Sequence, residues 1–367
     1  MSCTLAINIP FVLGRCDYYG RPLHPDTPTA KKQAYLDALL GEARAVAGDL
    51  DGEVDELAFV NGSLSTIEPR FFHSFMRELS AAVPLAKDCY VSAEVDPGLV
   101  SSALIGELKM RGVNMLRFHY LTSDAVESER LGLPSSSVEM SKTRIVMDSA
   151  GFETFDMQLL IGLSKQTEKT LLKSLRDAVL WDGVVHCTLI PASGPLAMGR
   201  DGAVELLDVA VAFLEEHGFV RYAPLCFAKE GFAIPLEKEQ HTERSIVSLG
   251  PATTSQCGGY VWSNRGDLDA YIKAKGDLER ITRMAVQLDE PSLRARALVG
   301  KLYRAEDLSA STLTAAESAA LEELVDRGLL VSTAAGESGA ETGFQLTSCG
   351  CLAFDEVSRR IMQTLVE

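Results

Sequence analysis

Short β-branched, apolar runs alternate along this chain with longer stretches whose apolar positions recur at helical spacing. The period of two predicts strands and the period near 3.6 predicts helices. In order, the pattern predicts strand Leu5–Ile9, helix Pro28–Ala47, strand Glu56–Val60, helix Pro69–Val83, strand Tyr90–Glu94, helix Ser101–Arg111 and strand Met115–Tyr120. A Ser-rich loop leads to a helix near Val138–Ser149, strand Phe155–Ile161, helix Thr167–Leu180, strand Val184–Ile190 and helix Ala203–His217. Repeated strand–helix units need a parallel sheet with right-handed crossovers, so the fold class is α/β, closing fully or partly into a barrel over residues 1–225. Residues 226–277 form an extension. From 278 to 367 the pattern is helix, glycine stop, two strands and a final helix, as in a winged-helix-like α+β domain.

Composition narrows the class. With 367 residues, 46% hydrophobic and 23% charged, the chain can bury one large core and a smaller one. A net charge of −16 leaves no basic footprint for a phosphate backbone, so no nucleic-acid partner is expected. With neither a charged-then-apolar leader nor an apolar run of bilayer length, the expectation is a cytoplasmic protein with no membrane partner. Eight cysteines without zinc spacing read as small apolar residues in a reducing compartment. Cys349 and Cys351 are the one close pair; C-x-C lacks the redox spacing and reads as incidental.

The candidate chemistry lies at the strand ends, where such barrels hold their ligands. After Leu5–Ile9, Pro10 takes the chain out of the sheet into a loop carrying Arg15, Cys16, Asp17, Tyr18 and Tyr19. This stretch resembles the cluster loop of radical S-adenosylmethionine (SAM) enzymes, specifically the oxygen-independent coproporphyrinogen III dehydrogenase and haem-chaperone family, which reads Y-I-H-I-P-F-C-x-x-x-C-x-Y-C. Ile7-Asn8-Ile9-Pro10-Phe11 fits, Cys16 is the second cysteine, and Val12 and Tyr19 stand at the first and third. A [4Fe–4S] cluster is held by thiolates. The resemblance therefore implies a degenerate member with no standard cluster and no metal site, Cys16 being the one remaining ligand.

The other strand ends extend the resemblance over nearly the whole chain. Asn61, Gly62 and Ser65 stand in the glycine-rich turn expected to receive the methionyl amine of SAM, and Glu94 stands at the carboxylate expected to bind SAM. Plain salt bridging is the alternative for Glu94. His119 and Leu121 fall where the family has a small glycine and a ribose-binding glutamine. His119 is either a new acid/base or metal ligand, or a satisfied core group. Gln158 replaces an aspartate; Gly162-Leu163 is retained as the adenine-binding backbone, with Tyr18 packing on the base or simply in the core. Farther on, the tetrapyrrole-linked H-N-x-x-Y-W stretch is reduced to the segment around His241, the one candidate haem ligand there, which otherwise reads as surface.

Three functions follow. One is a cluster-free enzyme binding SAM or another adenosyl ligand for polar or methyl-transfer chemistry on a small molecule, with Cys16, Tyr19, His119 and Glu94 lining the site. In it Cys16 is a nucleophile if Arg15 depresses its pKa. Another is a non-catalytic binder of haem, another tetrapyrrole or a protein partner. The last is an irregular iron or iron–sulfur site on Cys16 with Tyr19, His24 or Asp17. The sequence narrowly favours the adenosyl enzyme.

Overall fold

A computed structural model of the chain describes residues 2–12, 20, 22–133, 136–306, 308–333 and 343–366. Its frame is β1 (Ser2–Asn8), β2 (Glu53–Val60), β3 (Leu85–Val95), β4 (Val113–Leu121), β5 (Phe155–Ile161) and β6 (Val184–Pro191), each parallel to the next. Their order follows the sequence, as a partial (β/α) barrel requires. The crossovers are made by α1 (Thr29–Val46), α2 (Pro69–Ala82), α3 (Ser102–Met110), α4 (Ala125–Arg130), α5 (Ser136–Ala150), α6 (Glu168–Val179) and, after β6, α7 (Arg200–Glu216).

These helices form where the apolar spacing places them. In α2, Phe72, Phe75, Met76 and Leu79 recur at i, i+3, i+4 and i+7 and are buried. Phe72 meets Phe59 of β2 edge-on, with ring centroids 5.4 Å apart. Pro69 opens the helix at a position whose N–H has no intrahelical partner. Truncating Phe72 would cost about 3–5 kcal/mol. Helix α6 is fixed at its start by Thr167, whose hydroxyl caps Thr170 N–H.

Beyond β6 the sheet grows at both edges. Antiparallel β7 (Val220–Ala223) and β8 (Cys226–Ala228) extend one side. On the other, β9 (Ser245–Leu249) pairs in parallel with β1, followed by antiparallel β10 (Thr254–Cys257), β11 (Tyr260–Asn264) and β12 (Thr282–Gln287). The result is twelve strands in the order β12-β11-β10-β9-β1-β2-β3-β4-β5-β6-β8-β7. The segment 226–277 thus supplies sheet, a feature its weakly alternating sequence does not announce.

Between β8 and β9 the chain makes α8 (Pro235–Lys238), which closes the barrel at the N-terminal ends of its strands. Ile234 and Leu236 pack on the inward-facing Ala6, Ala58 and Met115. Leu236 N–H donates to Glu56 Oε1 at 2.7 Å, and the Tyr222 hydroxyl accepts from Ile234 N–H at 3.2 Å. Burial raises the Glu56 carboxyl to about 7, against the Thr4 and Leu236 hydrogen bonds and the Arg244 charge.

The remaining elements are α9 (Leu268–Ala274), α10 (Leu278–Ile281), α11 (Glu290–Tyr303), α12 (Ala315–Asp326), the hairpin β13 (Leu330–Thr333) and β14 (Gly343–Leu346), α13 (Ser348–Leu352) and α14 (Phe354–Val366). From α11 onward they enclose a second apolar core around Leu298, Leu302, Leu321, Phe344 and Val357, whereas Leu268 and Tyr271 of α9 and Ile281 of α10 pack into the main core. No helix among the described residues is long and apolar enough to cross a membrane.

Candidate functional site

Side chains two apart on a strand share a face, so β3, β4 and β5 each send a polar pair into the barrel. These are Ser92 and Glu94, Arg117 and His119, and Asp156 and Gln158, all nearly or fully buried. Burying so many charges is tolerated only if they match.

They match in a line. From α8, Glu237 pairs with Arg117 Nη2 at 2.9 Å. Arg117 Nε donates to Asp156 Oδ2 at 2.9 Å, and Nη1 lies 3.6 Å from Glu94 Oε1. The other Glu94 oxygen is 3.5 Å from His119 Nε2, whose Nδ1 faces Asp96 Oδ1 at 3.3 Å. Gln158 Nε2 donates to Glu94 Oε1 at 3.2 Å. On the far side, Asp156 bonds His186 Nδ1 at 2.8 Å, and His186 Nε2 reaches the Tyr222 hydroxyl at 2.7 Å.

The electrostatics follow from these contacts. Burial opposes charge on His119, but hydrogen bonds and charges from Asp96 and Glu94 push it up to about 10, so it is imidazolium at neutral pH. Burial likewise opposes the Glu94 carboxylate, yet the His119 hydrogen bond and the Arg117 and His119 charges hold it below the usual range. Asp156 is held well below its ordinary value against burial, through His186 and Arg117.

Of the residues the sequence singles out, His119, Glu94 and Gln158 come together in this network. Asn61, Gly62 and Ser65 form the adjoining rim. Asn61 sits at φ 71°. A Cβ at Gly62 would fall 2.1 Å from Ile9 O and 2.9 Å from Phe11 O, so the turn after β2 can lie on the loop after β1 because it lacks a side chain. Ser63 and Ser65 hydroxyls both accept from Asp96 N–H, at 2.8 and 3.0 Å. At Gly162-Leu163 the Gln166 amide oxygen accepts Gly162 N–H at 2.9 Å. Leu121 is buried at φ 59° and offers no polar group. Arg15, Cys16, Asp17, Tyr18 and Tyr19 lie outside the described residues. His24 pairs with Phe11 in a two-residue bridge.

The donor set bears on a cluster. Val12 is apolar and buried, and among the described residues no group of three or more His, Cys, Asp or Glu has a metal-binding arrangement. The seven described cysteines are free. Burial raises Cys3 to about 12 and Cys89 to about 11, which keeps both protonated. Cys349 and Cys351 sit on α13, where Cys351 packs against Arg221. None of these described residues supplies the thiolates of a cluster, and Cys16 lies outside them.

His241 departs from the surface reading. It lies at the opposite end of the barrel, between α8 and β9, with φ 62°. Its ring is flanked by Tyr303 at 5.3 Å and Phe354 at 5.5 Å. Burial, then the Arg296 and Arg304 charges, lower it to about 4, so the imidazole is neutral. Beside it, Arg304 pairs with Glu306 through Nε and Nη2, while its buried Nη1 has no hydrogen-bond partner among the described residues. Sequence reading missed Arg117, Asp96, Asp156 and His186. Arg117 was detectable: a charged residue of inward parity inside the apolar run Met115–Tyr120 needs internal partners.

No family model matches the chain. Among curated proteins it is 22% identical over 239 residues to the haem chaperone HemW of Escherichia coli, covering 62% of this chain and 63% of that protein. It is 23% identical to the haem chaperone HemW of Bacillus subtilis, covering 96% of this chain and 97% of that one. An oxygen-independent coproporphyrinogen III oxidase of Cereibacter sphaeroides matches at 22% over 62% of this chain and 50% of its own length. Among solved structures, the radical SAM coproporphyrinogen III oxidase HemN of Escherichia coli superposes with a TM-score of 0.81 at 17% identity, covering 99% of this chain and 90% of that one.

Proposed function

From a chain that belongs with the haem-chaperone and coproporphyrinogen III oxidase relatives of the radical SAM fold, we infer that it binds haem or a closely related tetrapyrrole as cargo and passes it to an acceptor protein. The observation that carries this reading is the neutral His241 imidazole at the edge of a three-ring cluster with Tyr303 and Phe354, which also pack on each other with centroids 5.1 Å apart. Neutral imidazole is the form that ligates iron. The unused Arg304 Nη1 donor suits a propionate, which a guanidinium recognises well. Likeness to a haem chaperone over almost its full length adds weight.

The adenosyl enzyme has less support. Glu94, the carboxylate such a ligand would use, already faces Arg117 Nη1 at 3.6 Å and His119 Nε2 at 3.5 Å, although its Oε2 has no hydrogen-bond partner among the described residues. Leu121 offers no hydrogen bond to a ribose. With Cys16 the one cysteine of its loop, this reading includes no cluster-borne step.

Titrating haem into the full chain tests it. A saturable Soret band with a histidine-ligated spectrum is expected, lost in His241→Ala and weakened in Arg304→Gln. Equal spectra for the natural chain and His241→Ala would sink the assignment of the ligand; no saturable band would sink the reading itself.

A further inference from the structure

Helix α8 and its approach, residues 232–239, join no strand of the sheet, so side chains of the barrel hold this strap in place. Ile234 N–H donates to the Tyr222 hydroxyl at 3.2 Å, Leu236 N–H donates to Glu56 Oε1 at 2.7 Å, and Glu237 meets Arg117 Nη2 at 2.9 Å. The apolar grip is small. Ile234 and Leu236 are buried, and the floor they cover is made of Ala6, Ala58 and Met115.

Both flanks of the strap are turning points. Gly231 stands at φ 83° with no atom within 4 Å of a Cβ, and Lys229, Glu230 and Phe232 around it are exposed. At the other end His241 is at φ 62°, a region disfavoured for a residue with a Cβ. Its carbonyl is pressed on α11, since a Cβ at Gly300 would fall 2.3 Å from His241 O. The C-terminal end of the strap is therefore anchored, and a swing would come at the exposed N-terminal end.

Of the three latches, Glu56 is the one whose charge the barrel does not match directly. Its Oε2 accepts from the Thr4 hydroxyl at 2.7 Å, that hydroxyl accepts from Arg244 Nε at 2.8 Å, and Arg244 Nη2 pairs with Asp55. From the strap Glu237 adds a like charge. From β3, Tyr90 stands opposite Glu56 with Cys89 beside it, and burial keeps both protonated. Burial is the largest influence on the Glu56 carboxyl, which titrates at about 7 in place of 4.5. Once ionised it gains by meeting water, which displacement of Leu236 admits.

We propose that the strap 232–239 is a pH-responsive floor of the barrel, closed while Glu56 is protonated and swinging out about its anchored 241 end as Glu56 ionises. Raised in the closed form, the carboxyl favours closure fully below pH 4.5 and stops doing so as pH rises through about 7. Opening lifts Ile234 and Leu236 off Ala6, Ala58 and Met115. Because His241 ends the strap, the motion reaches the candidate cargo site; that bearing on cargo rests on the haem reading, whereas the motion itself does not.

Amide exchange of the natural chain at about pH 5 and about pH 7, corrected for the intrinsic rate at each pH, tests this. Protection of the Ile234, Leu236, Lys238 and Glu239 amides should fall by about tenfold or more between the two, while β2 amides keep theirs. Glu56→Gln, an isostere that still accepts from Leu236 N–H, should remove the pH dependence. Glu237→Gln, which loosens another latch, should lower strap protection at both pH values and leave their ratio unchanged. Strap protection in the natural chain that does not change with pH overturns the proposal. So does a change that persists in Glu56→Gln, or one shared equally by the β2 amides, which would be global unfolding.

Discussion

Arg117 on β4 and Glu237 on α8 meet at 2.9 Å inside the barrel, and this contact ties the closing strap to the strand ends. It begins a line of alternating charges, Glu237, Arg117, Glu94, His119 and Asp96, that runs the depth of the sheet. Because Arg117 also serves Asp156, removing it leaves two buried carboxylates, Glu94 and Asp156, and the half-buried Glu237 short of a partner. Arg117→Met should therefore lower unfolding free energy by about 3–5 kcal/mol in denaturant titration, far more than Glu237→Gln, which removes one anion at the edge of the line.

His119 gives a pH signature. Its pKa is raised in the folded protein from 6.5 to about 10, so the stability it contributes is complete below pH 6.5 and is lost as pH rises through about 10. Unfolding free energy should fall over that window, and in His119→Gln the fall should be much shallower. Matching slopes in the two proteins would contradict the imidazolium assignment.

At Gly62 the expectation is steric. With Ile9 O and Phe11 O so close to any Cβ, Gly62→Ala must push apart the turn after β2 and the loop after β1, costing about 1–3 kcal/mol. Thermal unfolding measures this, with Gly48→Ala as the control, since no atom lies within 4 Å of a Cβ there.

The cluster loop can be tested by restoring what the family pattern carries. Val12→Cys with Tyr19→Cys gives the loop three thiols. After anaerobic reconstitution with iron and sulfide, the double variant is expected to hold cluster iron and the natural chain to hold none. A stoichiometric cluster in the natural chain would overturn the cluster-free reading.

Much of this fold was legible because strand and helix periods are local. The six barrel strands fall where β-branched runs stand, yet β2 begins at Glu53 and β3 at Leu85, earlier than expected. At the start of β2 only Val54 among Glu53 to Asp55 is apolar and buried, and in β3 Lys87 and Asp88 are exposed, so neither start stands out as an apolar run. The antiparallel strands β10 to β12 were missed for the same reason, β12 most of all. Glu94 and His119 were found at their strand ends, but their mutual contact and the roles of Arg117 and Asp156 depend on inter-strand register. His241 read as surface because nothing near it in sequence predicts Tyr303 and Phe354, which arrive from α11 and α14.

A tetrapyrrole cargo site in place of an adenosyl one is tested most directly by calorimetric titration of haem and of SAM, separately, into the same preparation of the chain. The expected result is saturable haem binding that His241→Ala removes and no heat from SAM. Saturable SAM binding that Glu94→Gln abolishes, with no haem binding, would contradict it.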